Sequence, residues 1–223
     1  MKKISVIIPA YNEEKYVEKT FLSIKNQSFR DYQIILVANG CTDKTIEVAK
    51  KYADRIFNIN ISNASFARNI GAQHAAGDIL VFLDADTRLA ENALEEMSSQ
   101  FNNDTAVATM HAHPNESKFF FRIINSAKNF LHSYGLYAGS SGVIITSKEL
   151  FHAVGGFNVS KHIAETSSFI KKLKEFGEYS VISNTNAVTS TRRYEQWGVM
   201  RTAFFWIVNR WIFGRDVKYE AVR

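Results

Sequence analysis

One cysteine, Cys41, stands among 223 residues, so no internal disulfide framework can form and nothing calls for an oxidising compartment. No stretch of about 18 apolar residues occurs, which removes a membrane-spanning helix from the expectations. The opening MKKISVIIPAYNEE has two lysines but only the short apolar run Ile4–Ile8, too little for a signal peptide, so a cytoplasmic protein is expected. Zinc-ligand spacing, an RNA-binding aromatic signature and a basic helix with a heptad zipper are all missing. The net charge is +5, but the positive residues are scattered except near the C-terminus, so nucleic acid is not an expected partner. Internal repeats, low-complexity tracts and linkers are absent too, and residues 1–223 are expected to form one domain.

What is present is ordinary material for a folded core: 46% hydrophobic and 22% charged residues. Ile4–Ile8 is a β-branched run ending at Pro9, the mark of a buried parallel strand. Lys15–Asn26 places apolar residues at Val17, Phe21, Leu22 and Ile24, which predicts an amphipathic helix. Gln33–Val37 reads as a second strand broken by Asn39-Gly40, and Thr42 or Asp43 can cap a helix to about Tyr52. Arg55–Ile61 is a third strand, Phe66–Ala76 a helix and Ile79–Leu83 a fourth strand. This alternation predicts an α/β fold with a doubly wound parallel sheet, which binds ligands beyond the carboxyl ends of its strands. Further on, Glu91–Phe101 and Phe119–Leu131 read as helices around a strand at Ala106–Ala112. Gly139–Gly142 leads into a strand at Val143–Thr146. Helices at Lys148–Val154 and Glu165–Phe176, short strands near Tyr179–Ile182 and Ala187–Thr191, and an aromatic helix at Glu195–Phe213 complete the reading.

The strongest chemical signal is Phe82-Leu83-Asp84-Ala85-Asp86, at the end of the fourth strand. In extended backbone, residues two apart point the same way, so both carboxylates are expected to face one site. Two such acids repel a phosphate unless a cation sits between them, and Mg²⁺ or Mn²⁺ suits their hard oxygens. A solvated pair capping the next helix is the other reading of Asp-x-Asp; its place at the tip of a buried strand favours the site.

These residues carry a resemblance. SVIIPAYNEE, NASFARNIGAQHAAGDILVFLDAD, VGGF at Val154–Phe157 and TSTRRYEQWG together resemble a family-2 glycosyltransferase with the GT-A fold, in the right order and through most of the chain. The resemblance implies a mostly parallel mixed sheet flanked by helices, with a nucleotide-binding half at about 1–110, an acceptor-side half at about 111–198 and a terminal helix at about 199–214. It implies an inverting enzyme that moves a sugar from a nucleotide-diphosphate donor to a saccharide or lipid-linked acceptor, with Mn²⁺ or Mg²⁺ as cofactor. Pro9, Ala10, Tyr11 and Glu13 would wall the nucleoside, Tyr11 lying on base or ribose unless it is a core aromatic. Arg68 would lie near the nucleotide, Asp84 would contact ribose or the metal's water shell, and Asp86 would bind the metal. A sugar-phosphate nucleotidyltransferase would instead open with a Gly-rich, Arg-containing loop, which Pro9-Ala10-Tyr11-Asn12-Glu13 is not.

The chain departs from the family pattern in three places. Val37-Ala38-Asn39-Gly40-Cys41 has Ala38 where an acid is usual, leaving Asn39 to hydrogen-bond a base edge. After Gly-Gly-Phe the family carries Glu-Asp, whose Asp is the general base; here Glu165 matches the Glu, Thr166 replaces the Asp, and Ser168 stands where another acid often follows. Threonine cannot accept a proton near neutral pH, so either Glu165 is the base or the chain is a catalytically weakened nucleotide-sugar-binding relative acting as a partner protein. Third, no histidine falls within Ser183–Trp197, where some relatives add a metal ligand, although His162 lies close to Glu165. Arg192 and Arg193 form either a diphosphate or lipid-phosphate grip or an exposed basic turn. The stretch 199–214 suits a helix lying on a membrane surface, a buried helix or a homodimer contact.

Overall fold

The computed structural model describes residues 3–115, 142–161 and 165–198, with the single positions 123, 126, 129, 130, 140 and 202. The first half follows the alternation read from the sequence: β1 (Ile4–Ala10), α1 (Val17–Lys25), β2 (Tyr32–Asn39), α2 (Thr45–Ala49), β3 (Arg55–Ile59), α3 (Ala64–Gln73) and β4 (Ile79–Leu83). Then come β5 (Thr87–Leu89), α4 (Ala93–Gln100), β6 (Thr105–Pro114), β7 (Val143–Ser147), α5 (Lys148–Ala153), α6 (Glu165–Leu173), β8 (Glu178–Thr189) and α7 (Arg192–Trp197).

All eight strands join one sheet in the order β3-β2-β1-β4-β7-β6-β8-β5. β1 to β4 run parallel, with Ile4 opposite both Tyr32 and Ile79. β7 enters antiparallel beside β4, β6 runs antiparallel to β7 and parallel to β8, and β5 closes the far edge against β8. The doubly wound, mixed and mostly parallel sheet expected from the sequence is therefore the fold. Strand alternation explains how it packs: Ile4, Val6, Ile8 and Ala10 join Ile34, Leu36 and Ala38 in a core beneath α1, α2 and α4. Ile7, Ile35 and Val37 face the other way, toward α3, Phe151, Phe157 and Phe169. α3 approaches β1 so closely that a Cβ on Gly71 would come within 2.4 Å of Ile7 Cγ2, so only glycine fits there.

Two strands differ from the reading. The two short strands expected near 179–191 are one long strand, β8, with its break in register set by irregular pairing with β6: Met110 faces Ile182, while Ala112 faces Ala187. Asn184, at φ +60, turns the intervening segment. β5 was not foreseen, since three residues are too few to show a period. Most of the helix expected at Phe119–Leu131 and of the terminal helix at 199–214 lies outside the described residues. Among the described residues no helix is long and apolar enough to cross a membrane.

Candidate active site

The carboxyl ends of β1, β2 and β4 converge with the starts of α3, α6 and α7. After β1, the chain turns at Asn12 (φ +54), whose side-chain oxygen accepts a hydrogen bond from the Thr42 amide at 2.7 Å. The Glu13 amide donates to Thr45 Oγ1 at 2.8 Å, and the Cys41 thiol donates to the Ala10 carbonyl at 3.2 Å. Asp43 accepts from the amides of Glu14 and Thr45, each at 3.0 Å. Burial alone would raise the Asp43 pKa, but these bonds and one from the Thr45 hydroxyl hold it below the usual value. The loops after β1 and β2 are thus stitched into one rim. Tyr11 is half-buried on it, its ring 3.6 Å from where a Cβ on Gly40 would stand. Asn39 is 4% exposed, and its side-chain oxygen has no hydrogen-bond partner among the described residues. A buried amide oxygen without a donor is costly, so the rim holds a ready acceptor for a ligand N–H.

β4 ends at Leu83, and Asp84 to Thr87 form a turn closed by the Thr87 amide donating to the Asp84 carbonyl at 3.0 Å. The turn is held from both sides: the Asp84 amide donates to the Gly142 carbonyl at 2.9 Å, and the Thr20 hydroxyl to the Ala85 carbonyl at 2.8 Å. The extended backbone expected here is a turn instead. In the turn each carboxylate has a guanidinium partner. Asp84 meets Arg68 Nη2 at 3.1 Å, while Asp86 meets Arg192 Nη2 at 3.2 Å. The Asp84 side chain is 44% exposed and that of Asp86 17%, so Asp84 is the one more open to solvent.

Arg68 joins the two halves of the site. Its Nη1 lies 3.7 Å from Glu165 Oε1, and its guanidinium stacks over the Phe157 ring at 5.3 Å. The neighbouring motif residues explain why the chain needs this order. Asn63 caps α3 by accepting from the Phe66 amide, which fixes the rotation of the helix. One turn on, Asn69 donates to the Phe157 carbonyl and accepts from the Phe157 amide, both at 2.9 Å, pinning the Gly155-Gly156-Phe157 turn. Gly156 has φ +69, and a Cβ there would stand 2.7 Å from Asn69 Oδ1.

On the donor side, Glu13 and Arg192 form a two-bond pair at 2.6 Å each, with the guanidinium 4.6 Å above the Tyr16 ring. Burial raises the Glu13 pKa; Arg192 pulls it back, while Asp84 and Asp43 add to the rise. For Arg192, burial opposes the charge, but Glu13 and Asp86 outweigh it and push its pKa above the ordinary guanidinium value.

The expected residues are therefore only partly where the reading placed them. Arg68 joins Asp84 to Glu165 and Arg192 joins Asp86 to Glu13, while Tyr11 and Asn39 stand at the carboxyl ends of β1 and β2. Pro9 and Ala10 are buried, Ala10 in the core, so neither offers a side-chain wall to a nucleoside; strand alternation turns Ala38 into the same core. The Glu13 carboxylate is bound to Arg192. Arg192 is no exposed basic turn: it opens α7 with its side chain 15% exposed. The side chain of Arg193, like His162, lies outside the described residues. Tyr16 and Asn69 were missed, because their roles depend on contacts with Arg192 and Phe157 that are remote in sequence. A groove of about 380 Å³ between α1 and the β5–β8 edge, lined by Lys19, Ser23, Arg88 and Asn186 among others, shares no residue with this cluster.

The donor set fits a divalent cation in one form. Among the described residues no group of three His, Cys, Asp or Glu side chains is arranged to hold a metal. Asp84 and Asp86 supply two hard oxygen donors, which suits an ion that completes its shell with phosphate oxygens and water.

The family model for glycosyl transferase family 2 matches residues 5–192. An uncharacterized glycosyltransferase of Haemophilus influenzae is 38% identical over 102 residues, covering 43% of this chain and 41% of that protein. The chain spans less than half the length of the curated relatives it matches. In fold it is similar to the mannosyltransferase PcManGT of Pyrobaculum calidifontis in complex with GDP-Man and Mn²⁺, with TM-score 0.72, 20% identity and coverage of 88% of this chain and 59% of that one. It is also similar to Staphylococcus aureus TarS 1-349 in complex with UDP-GlcNAc, with TM-score 0.71, 18% identity and coverage of 85% and 59%. With the family model running from β1 to the first residue of α7, the chain belongs to glycosyltransferase family 2.

Proposed function

We propose that the chain transfers a sugar, with inversion, from a nucleotide-diphosphate donor to a hydroxyl of a saccharide or lipid-linked acceptor. The observation that carries this reading is Arg68 standing between Asp84 and Glu165, which puts a donor-side acid and an acceptor-side acid at one strand tip. Tyr11 offers a ring face for base or ribose, and the Asn39 amide a hydrogen bond to a base edge. Asp86, with Asp84, would hold Mn²⁺ or Mg²⁺. When bound between these acids and the diphosphate, such an ion offsets the charge that develops on the leaving group. Arg68 sets the positions of Asp84 and Glu165 and adds positive charge near the donor. The acceptor oxygen forms its bond to the anomeric carbon as the bond to the diphosphate oxygen breaks, and its proton passes to Glu165. Arg193 remains a candidate for the diphosphate or a lipid phosphate. The stretch 199–214 is proposed to rest on a membrane surface, which would place the enzyme on the inner face of the cell membrane.

The similar folds of PcManGT in complex with GDP-Man and TarS in complex with UDP-GlcNAc support this reading. A second reading, nucleotide-sugar binding without transfer, draws on Thr166 and on Glu165 being engaged by Arg68. One assay separates them: release of nucleoside diphosphate from a panel of UDP- and GDP-sugars with Mn²⁺, in wild type, Asp86→Ala and Thr166→Asp. Metal-dependent release lost in Asp86→Ala supports transfer. No release from wild type, with release gained in Thr166→Asp, supports the binding relative.

A further inference from the structure

We propose that Arg192 is an internal counter-cation that holds Asp86 while no divalent ion is bound, so that metal entry requires Asp86 to let go of Arg192 while Glu13 keeps it. The inference rests on the reading of Asp86 as the carboxylate that takes the metal.

The distances say which contact yields. Arg192 makes two parallel bonds to Glu13 at 2.6 Å and one contact to Asp86 at 3.2 Å. Charge-assisted bonds of N–H to carboxylate lie near 2.7–2.9 Å, so the Glu13 pair is tight and the Asp86 contact sits at the loose end of the range. Tyr16 supports the guanidinium from one face at 4.6 Å, and the Arg192 side chain is only 15% exposed. The Asp86 side chain is likewise mostly covered, at 17%. A buried carboxylate needs a partner, and before a metal arrives Arg192 meets that need. The guanidinium that opens α7 is thereby wired to the β4–β5 turn and to the loop after β1, three segments far apart in sequence. Asp86 and Glu13 Oε1 share Arg192 Nη2, so entry of a cation at Asp86 frees one N–H of that nitrogen for an anionic donor group while the Glu13 pair stays in place. Arg192 is in this sense a positioning residue. It makes binding of metal and of diphosphate mutually dependent, because an ion must displace a guanidinium N–H for which phosphate then supplies a new acceptor.

The test is direct Mn²⁺ binding, read by the electron paramagnetic resonance of free ion, on the full chain without nucleotide and then with UDP or GDP. Two variants keep Glu13 from being stranded: Arg192→Lys retains a cation for it without the fork, and Arg192→Gln with Glu13→Gln removes both charges. Folded protein is verified by circular dichroism. Wild type is expected to bind Mn²⁺ weakly alone and tightly with nucleotide. Either variant is expected to bind Mn²⁺ alone about tenfold more tightly, the worth of one charge-assisted bond no longer broken, and to gain less from nucleotide. Equal or weaker Mn²⁺ binding in the folded variants overturns the proposal; if wild type then still loses nucleotide-assisted Mn²⁺ binding on Asp86→Asn, the metal role of Asp86 survives without it. Absence of Mn²⁺ binding to wild type even with UDP and GDP overturns both.

Discussion

The two halves of the sheet are built on different terms. From β1 to β4, strands run parallel; β1, β4 and most of β2 are buried, and a helix follows each of the first three. From β5 onward, directions alternate along the chain, β8 is bent by a break in register, and the strands fill the half of the sheet between β4 and the β5 edge. The first half derives its shape from local pattern. The second derives its shape from what it must reach: Phe157 from Asn69, Glu165 from Arg68, Arg192 from Glu13 and Asp86. The first half is thus held by short-range bonds between neighbouring loops, and the second by side-chain pins that reach across the site.

Substitutions can break this contrast at its strongest point first. Glu165→Gln is expected to lower transfer about 10²–10⁴-fold, the usual contribution of a general base, while nucleotide affinity by calorimetry stays near wild type. Loss of nucleotide binding as well would mean that the halves do not separate. Next, Phe169→Ala should cost about 3–5 kcal/mol in urea unfolding. Its ring is 1% exposed, lies 3.9 Å from that of Phe157 and meets Phe82 edge-on, so truncation empties the layer that seats the acceptor side. Gly71→Ala should cost about 1–3 kcal/mol by overpacking, since the new methyl meets Ile7 at 2.4 Å. That loss falls on the donor half and should leave the transfer rate of folded enzyme little changed. The smallest effect is expected from Asn63→Ala, about 1 kcal/mol for the lost cap, read as a lower melting temperature.

How much of this could be read in the sequence follows the same division. β1, β2 and β4 show as β-branched runs because both faces are buried, and α1 shows because only one face is. β5 and the bend in β8 arise from pairing with distant strands, which no local period records. At the site, Asp84-Ala85-Asp86 marked the right place but not the right shape, because the i to i+3 bond that makes it a turn depends on Gly142 and Thr20 holding it. Arg68, Asn69 and Gly71 stand in one motif, yet their three tasks differ: ion pair, turn pin and close packing. The pairing of Glu13 with Arg192 spans 179 residues and has no signature in either segment alone. Ala38 looked like a loss from the nucleotide pocket, but strand alternation turns its side chain into the core and leaves Asn39 at the rim.

The central claim is that the acids at the tip of β4 hold an anionic donor by sharing a divalent ion with it. Calorimetric titration of UDP and GDP into wild type and Asp86→Ala, each with and without Mn²⁺, tests it most directly. Wild type should bind at least one of the two nucleotides more tightly with Mn²⁺, and that gain should vanish in Asp86→Ala. Nucleotide affinity that ignores Mn²⁺ in wild type, or a gain that survives the substitution, would contradict it.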